Sequence, residues 1–175
     1  CFRELVVQYK CDIHAFVIMG NHYHLMISTP EKNIGECMKY LHREVAKRAN
    51  KSVGRINHFF GGRYKWSMIS DEGYYWNCVK YVFRNPVKAG LCNDVKRYPY
   101  SSLNQQLTSF SWKMTDFFCD RQKLITLETD WLNEPFLNEE EELITNGLRR
   151  REFTLPKDRK GGIPTLTFDR QKRLL

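Results

Sequence analysis

His14-Ala-Phe-Val-Ile-Met-Gly-Asn-His-Tyr-His-Leu-Met-Ile-Ser28 is two strand-like runs joined by Gly20-Asn21. The first run is apolar and β-branched, and a two-residue Gly-Asn link before a second such run specifies a β-hairpin. Side chains alternate across a strand, so Tyr23, Leu25 and Ile27 share one face of the second run while His22, His24 and Met26 share the other. The first set is the expected core face.

A hairpin alone cannot hide its apolar face, so helices are needed on either side in sequence. Phe2, Leu5 and Val6 have helical spacing and read as the tail of a helix over Phe2 to Gln8. Thr29-Pro30-Glu31 combines a capping residue, a proline fit for a first turn and a carboxylate suited to the dipole, and it predicts a helix start. Ile34, Cys37, Met38, Leu41 and Val45 continue that helix as a packing stripe, with Lys39, Arg43, Lys47 and Arg48 elsewhere on its surface. Lys51 to Gly62 reads as a basic loop or short strand, and Arg63 to Ile69 as a strand. Ser70 or Asp71 caps a further helix from about Glu72 to Asn85, which Pro86 should kink or end and Gly90 should stop. Past Tyr98-Pro-Tyr-Ser-Ser102 the charge pattern changes, so the expected division is a main domain over residues 1–104 and an extension over 105–175. That extension holds a helix over Asn138 to Arg151 and an extended basic tail from Pro156.

At 175 residues the chain can bury one sizeable core. It is 42% hydrophobic and has no apolar run long enough to cross a bilayer. Six cysteines without a Cys-x-x-Cys pair argue against a zinc ribbon, and they read as reduced thiols in a cytosolic protein. The formal charge is +8, and its excess is local: residues 1–100 hold 16 Lys and Arg against 8 Asp and Glu, the remainder 12 against 12. Nine basic residues fall between Glu31 and Lys65, interleaved with Tyr40, Phe59, Phe60 and Tyr64. That mixture suits a phosphate backbone with bases to stack, although a merely solvated basic face has the same composition.

Two features carry chemistry. Histidines at i and i+2 on a strand project from one face, so His22 and His24 can converge on a cation; a solvent-facing strand edge carries the same pattern. On the later helix, Tyr75, Val79 and Val82 form the packing face and Tyr81 points away from it, with Asn85 one turn on along the same side. A surface aromatic and a helix-terminating Asn before proline would look the same.

Taken together, Met19-Gly-Asn-His-Tyr-His-Leu-Met-Ile27, Gly54-Arg-Ile-Asn-His-Phe-Phe-Gly-Gly-Arg-Tyr-Lys65, Tyr81-Val-Phe-Arg-Asn-Pro-Val-Lys-Ala-Gly-Leu91 and Tyr98-Pro-Tyr-Ser-Ser102 closely resemble the REP-associated tyrosine transposases, within the HUH endonucleases. The resemblance covers about residues 11 to 104. It implies an α+β, ferredoxin-like antiparallel sheet with packed helices, preceded by a first strand that this sequence does not carry. It further implies Tyr81 as nucleophile, His22, His24 and Asn85 as ligands of Mg²⁺ or Mn²⁺, and single-stranded or hairpin DNA as partner, cut through a 5′-phosphotyrosine link. The protein would act as a monomer or homodimer. Tyr23 departs from the aliphatic residue usual between the histidines but serves equally as a core residue on the opposite face. Tyr74 is the rival nucleophile, with Cys78 rather than an amide four residues on. Asp71 and Glu72 could each add a ligand, though capping explains them better, and His14, His42 and His58 fit structural or phosphate contacts. Arg43, Arg48, Arg55 and Arg63 are the candidate DNA contacts. The competing reading is a module of this fold that binds structured nucleic acid without cutting it.

Overall fold

A computed structural model describes residues 1–104, 129–157, 160–164 and 166. It is an α+β arrangement: α1 (Phe2–Tyr9), β1 (Asp12–Ile18), β2 (Tyr23–Ser28), α2 (Ile34–Val53), α3 (Glu72–Lys88), a 3₁₀ turn (Val95–Arg97), α4 (Thr129–Asn133) and α5 (Asn138–Gly147). The hairpin forms as its turn residues predict, with β1 and β2 antiparallel and Val17 opposite His24, Phe16 opposite Leu25. A bulge between Ile13 and Ala15 shifts the register. It turns His14 toward α3, where Nδ1 lies 3.1 Å from the Tyr75 hydroxyl.

Both faces of the hairpin are covered, not only the expected one. Leu25, Ile27 and Tyr23 pack with Ile13, Phe16, Leu5 and Cys37 under α1 and α2. On the other face Met26, Ala15 and Val17 join Tyr75, Cys78, Val79, Val82 and Phe83 of α3. His24 therefore stands beside a second core. The free edge of β1 is closed by the segment after the 3₁₀ turn: Ile18 donates its amide to the Tyr100 carbonyl and Ser102 to that of Phe16, each at 2.9 Å. The Tyr98 hydroxyl donates to the Ile18 carbonyl.

Several elements differ from the sequence expectation. Thr29–Lys32 is a turn, with Lys32 left-handed at φ 54° and its amide donated to the Thr29 carbonyl. Helix α2 consequently starts at Ile34 behind Asn33 and runs on to Val53, where Gly54, at φ 64°, takes the left-handed position that ends it. Residues 63–69 form no strand: among the described residues only Met68 makes a bridge, to Glu152, and Trp66 and Met68 stay half-exposed. Helix α3 passes through Pro86 to Lys88. A proline this close to a helix end forfeits a single hydrogen bond, and its ring is buried.

The expected boundary near Asn104 falls where the described stretch stops, and residues 105–128, Cys119 and most of the expected basic tail lie outside the described residues. The later residues join the α3 core through Trp131, Leu132, Ile144, Phe153, Leu155 and Leu166. Helix α5 ends at Gly147 instead of Arg151, and the Arg150 amide donates to the Gly147 carbonyl in the turn that follows. Cys1, Cys11, Cys37, Cys78 and Cys92 are free thiols. Among the described residues no helix is long and apolar enough to cross a membrane.

Candidate active site

Helix α3 is held at its start by Asp71, whose carboxylate accepts the Tyr74 amide at 3.0 Å; that cap accounts for Asp71 without a ligand role. Tyr75, Val79 and Val82 are buried as the periodicity requires, and Tyr81 lies off that face, only partly buried. Its ring meets His24 edge-on, centroids 5.8 Å apart at 89°. His24 meets His22 in the same manner at 5.0 Å and 83°. The structure thus brings His22, His24 and Tyr81 into one continuous contact. Asn85 is one turn beyond Tyr81 on α3, and its amide nitrogen donates to the Tyr81 carbonyl at 2.7 Å, which leaves the amide oxygen as the free acceptor. Tyr74 points elsewhere, against Phe153 with centroids 4.9 Å apart.

The two imidazoles differ. His22 is exposed and its Nδ1 lies 2.7 Å from the Asn21 side-chain oxygen. That oxygen can only accept, so Nδ1 is the donor in this contact. His24 has its Nε2 buried with no hydrogen-bond partner among the described residues. Burial, with the nearby His22 adding to it, lowers the His24 pKa to about 4, so the ring is neutral at physiological pH. A buried, neutral, partnerless imidazole nitrogen costs free energy unless something accepts its lone pair. An imidazole nitrogen of each histidine and the Asn85 amide oxygen are donor types that a divalent cation accepts. Among the described residues no three His, Cys, Asp or Glu side chains converge.

The candidate DNA contacts separate. Arg43 Nε is 3.3 Å from Glu44, and its guanidinium lies over the Tyr40 ring; Arg48 reaches Glu4 at 3.6 Å. Arg55 and Arg63 are exposed. Arg63 lines a cleft of about 680 Å³ with Lys39, His42, His58, Phe60 and Tyr64. His42 stacks on Phe60 with ring centroids 4.0 Å apart at 17°, and its Nε2 lies 2.5 Å from the Tyr23 hydroxyl. Tyr23 and His24 are successive strand residues, so this cleft opens on the face of the hairpin away from Tyr81. The Lys39–His42 contribution was hidden in the sequence because helical spacing shows which residues share a face, not what a later loop lays across it.

Residues 1–85 match the family described as IS200-like transposases. Over 117 residues the chain is 24% identical to a protein of Haemophilus influenzae named for the REP-associated tyrosine transposases, covering 61% of this chain and 66% of that protein. It is 25% identical over 109 residues to a REP-associated tyrosine transposase of Escherichia coli, covering 60% and 64%. The chain thus spans a little under two thirds of the length of these curated relatives. No solved structure matches it.

Proposed function

From the match of residues 1–85 to the family described as IS200-like transposases, we propose that this chain is a metal-dependent endonuclease and strand-transferase for single-stranded DNA, with Tyr81 as nucleophile. The observation that carries the reading is the edge-on contact of Tyr81 with His24, whose buried Nε2 has no partner among the described residues. His22, His24 and Asn85 would hold Mg²⁺ or Mn²⁺. When bound, such an ion supplies Lewis-acid stabilisation of the phosphate charge, worth several kcal/mol.

The chain's own part is positional. Tyr81 gives up its phenolic proton to solvent water and its oxygen attacks phosphorus in line. A bond forms between Tyr81 Oη and phosphorus, the bond from phosphorus to the 3′ oxygen breaks, and that oxygen leaves with a proton as a free 3′-hydroxyl. The 5′ phosphate stays on Tyr81 as a diester, so its energy is retained and a 3′-hydroxyl can reverse the step onto a new strand without ATP. The His24 ring packs edge-on against the phenol, and the Asn85 amide donates to the Tyr81 main-chain carbonyl near the helix end. Across the hairpin, Lys39 and Arg63 offer charge for the phosphates of the bound strand, and Phe60 and Tyr64 offer rings for its bases.

The test is a covalent adduct. Labelled hairpin-bearing single strands incubated with the protein and Mn²⁺ are expected to give a protein–DNA band that survives denaturation. Tyr81→Phe should abolish it and Tyr74→Phe should not, and an adduct of normal yield on Tyr81→Phe would overturn the assignment.

A further inference from the structure

Helix α3 carries a second stripe that the proposed chemistry does not use: Lys80, Arg84 and Lys88, four residues apart. Such spacing on an amphipathic helix normally marks a solvated basic face. Here all three side chains are engaged by one short segment of the later chain. Lys80 is only 6% exposed, and its ammonium lies 5.0 Å from the ring centres of both Trp131 and Phe136. Burial lowers its pKa, while Glu134 and Glu140 nearby favour the charged form. Arg84 Nη1 donates to the main-chain carbonyls of Leu132, at 3.4 Å, and Asn133, the C-terminal carbonyls that α4 leaves without helical partners. Lys88 Nζ lies 2.9 Å from Glu141 Oε1.

We propose that Lys80, Arg84 and Lys88 are positioning residues which lock the rotation of α3 against residues 131–141 and thereby aim Tyr81 and Asn85 at the two histidines. This rests on Tyr81 being the nucleophile. Tyr81 and Asn85 each follow a stripe residue by one position, about 100° further round the helix. A roll of about 20° about the helix axis would carry a side-chain tip roughly 6 Å out by about 2 Å, whereas reacting groups must be held within about 0.5 Å. On the sheet side α3 is held by packing of Val79, Val82 and Phe83 and by one directional contact, from Tyr75 to His14. Three directional contacts on the opposite flank add a second point of purchase against roll.

The test compares the unaltered protein with Arg84→Met, which keeps the apolar stem and loses the donors, and with Arg84→Lys, which keeps one donor. Hydrogen exchange of the 74–88 amides is measured in each. The rate of adduct formation is measured at saturating single-stranded DNA, and DNA affinity in a Tyr81→Phe background. We expect faster exchange in Arg84→Met, an adduct rate at least tenfold lower, affinity within twofold of the parent, and partial recovery in Arg84→Lys. Lys88→Glu, at an exposed position that does not threaten folding, should slow the adduct two- to threefold, and adding Glu141→Lys should restore it. Unchanged exchange and rate in Arg84→Met would overturn the proposal, as would affinity falling in step with rate, which would make Arg84 a DNA contact. If the unaltered protein forms no adduct but Arg84→Met still loosens α3, the docking stands and the nucleophile assignment fails.

Discussion

His24 shows how one residue's surroundings decide its chemistry. Its unfolded pKa is the ordinary 6.5, whereas burial and the neighbouring His22 bring the folded value to about 4. Above pH 6.5 both states are neutral and the residue contributes no pH dependence. As pH falls below that value the unfolded chain takes up a proton that the folded chain refuses, so stability declines until the folded ring titrates near 4. At about 1.4 kcal/mol per unit, the loss across that window is about 3 kcal/mol. Urea unfolding of the protein in EDTA at pH 7, 5.5 and 4 should show this decline. His24→Gln should flatten the profile, leaving the smaller drops from His14 and His42, whose pKa values burial also lowers. An equally steep profile in His24→Gln would place the acid sensitivity elsewhere. Added Mn²⁺ should stabilise the unaltered protein at pH 7 and have little effect on His24→Gln, read as a shift in the urea midpoint.

Among the elements, those whose instructions are local were legible in the sequence. The hairpin followed from Gly20-Asn21 and β-branched flanks, and the packing face of α3 followed from Tyr75, Val79 and Val82. The pair His24 and Tyr81 could be placed on two elements, and the resemblance joined them. Elements that depend on distant partners were not legible. Arg63 to Ile69 has a strand's composition, but among the described residues it pairs only through the single bridge from Met68 to Glu152. The stripe of Lys80, Arg84 and Lys88 finds its partners roughly 50 residues later, which no periodicity can reveal. Helix α5 offers a test of such long-range fit. Replacing a helical glycine by alanine ordinarily gains up to about 1 kcal/mol. At Gly147, however, an added Cβ would stand 2.8 Å from Phe153 Cε2 and 3.0 Å from its Cζ. Phe153 is 2% exposed and pressed against Tyr74, so its ring has nowhere to move. Overpacking of this kind costs about 1–3 kcal/mol, and Gly147→Ala should therefore lower Tm by roughly 2–4 °C in a thermal melt. A raised Tm would mean that the ring yields.

At the scale of the whole molecule, the two faces of one small hairpin carry different work. On one side α3 is pressed between the sheet and the later chain, which holds the candidate nucleophile. On the other, α2 and the residues around Phe60 form the cationic, aromatic cleft. Which basic residues meet the phosphates can be read from salt dependence, because each neutralised phosphate releases counterions and adds about 0.7 to the slope of log affinity against log salt for single strands. Lys39 and Arg63 line the cleft, whereas Arg43 and Arg48 are turned toward Glu44 and Glu4. In a Tyr81→Phe background, Lys39→Ala with Arg63→Ala should reduce the slope by about 1.4 for an unstructured oligonucleotide, and Arg43→Ala with Arg48→Ala by much less. The reverse ranking would place the strand along the outer face of α2, on the arginines that composition alone brings forward. The cleft is the expected path because Lys39 and Arg63 line it together with Phe60 and Tyr64, whereas Arg43 already covers the ring of Tyr40.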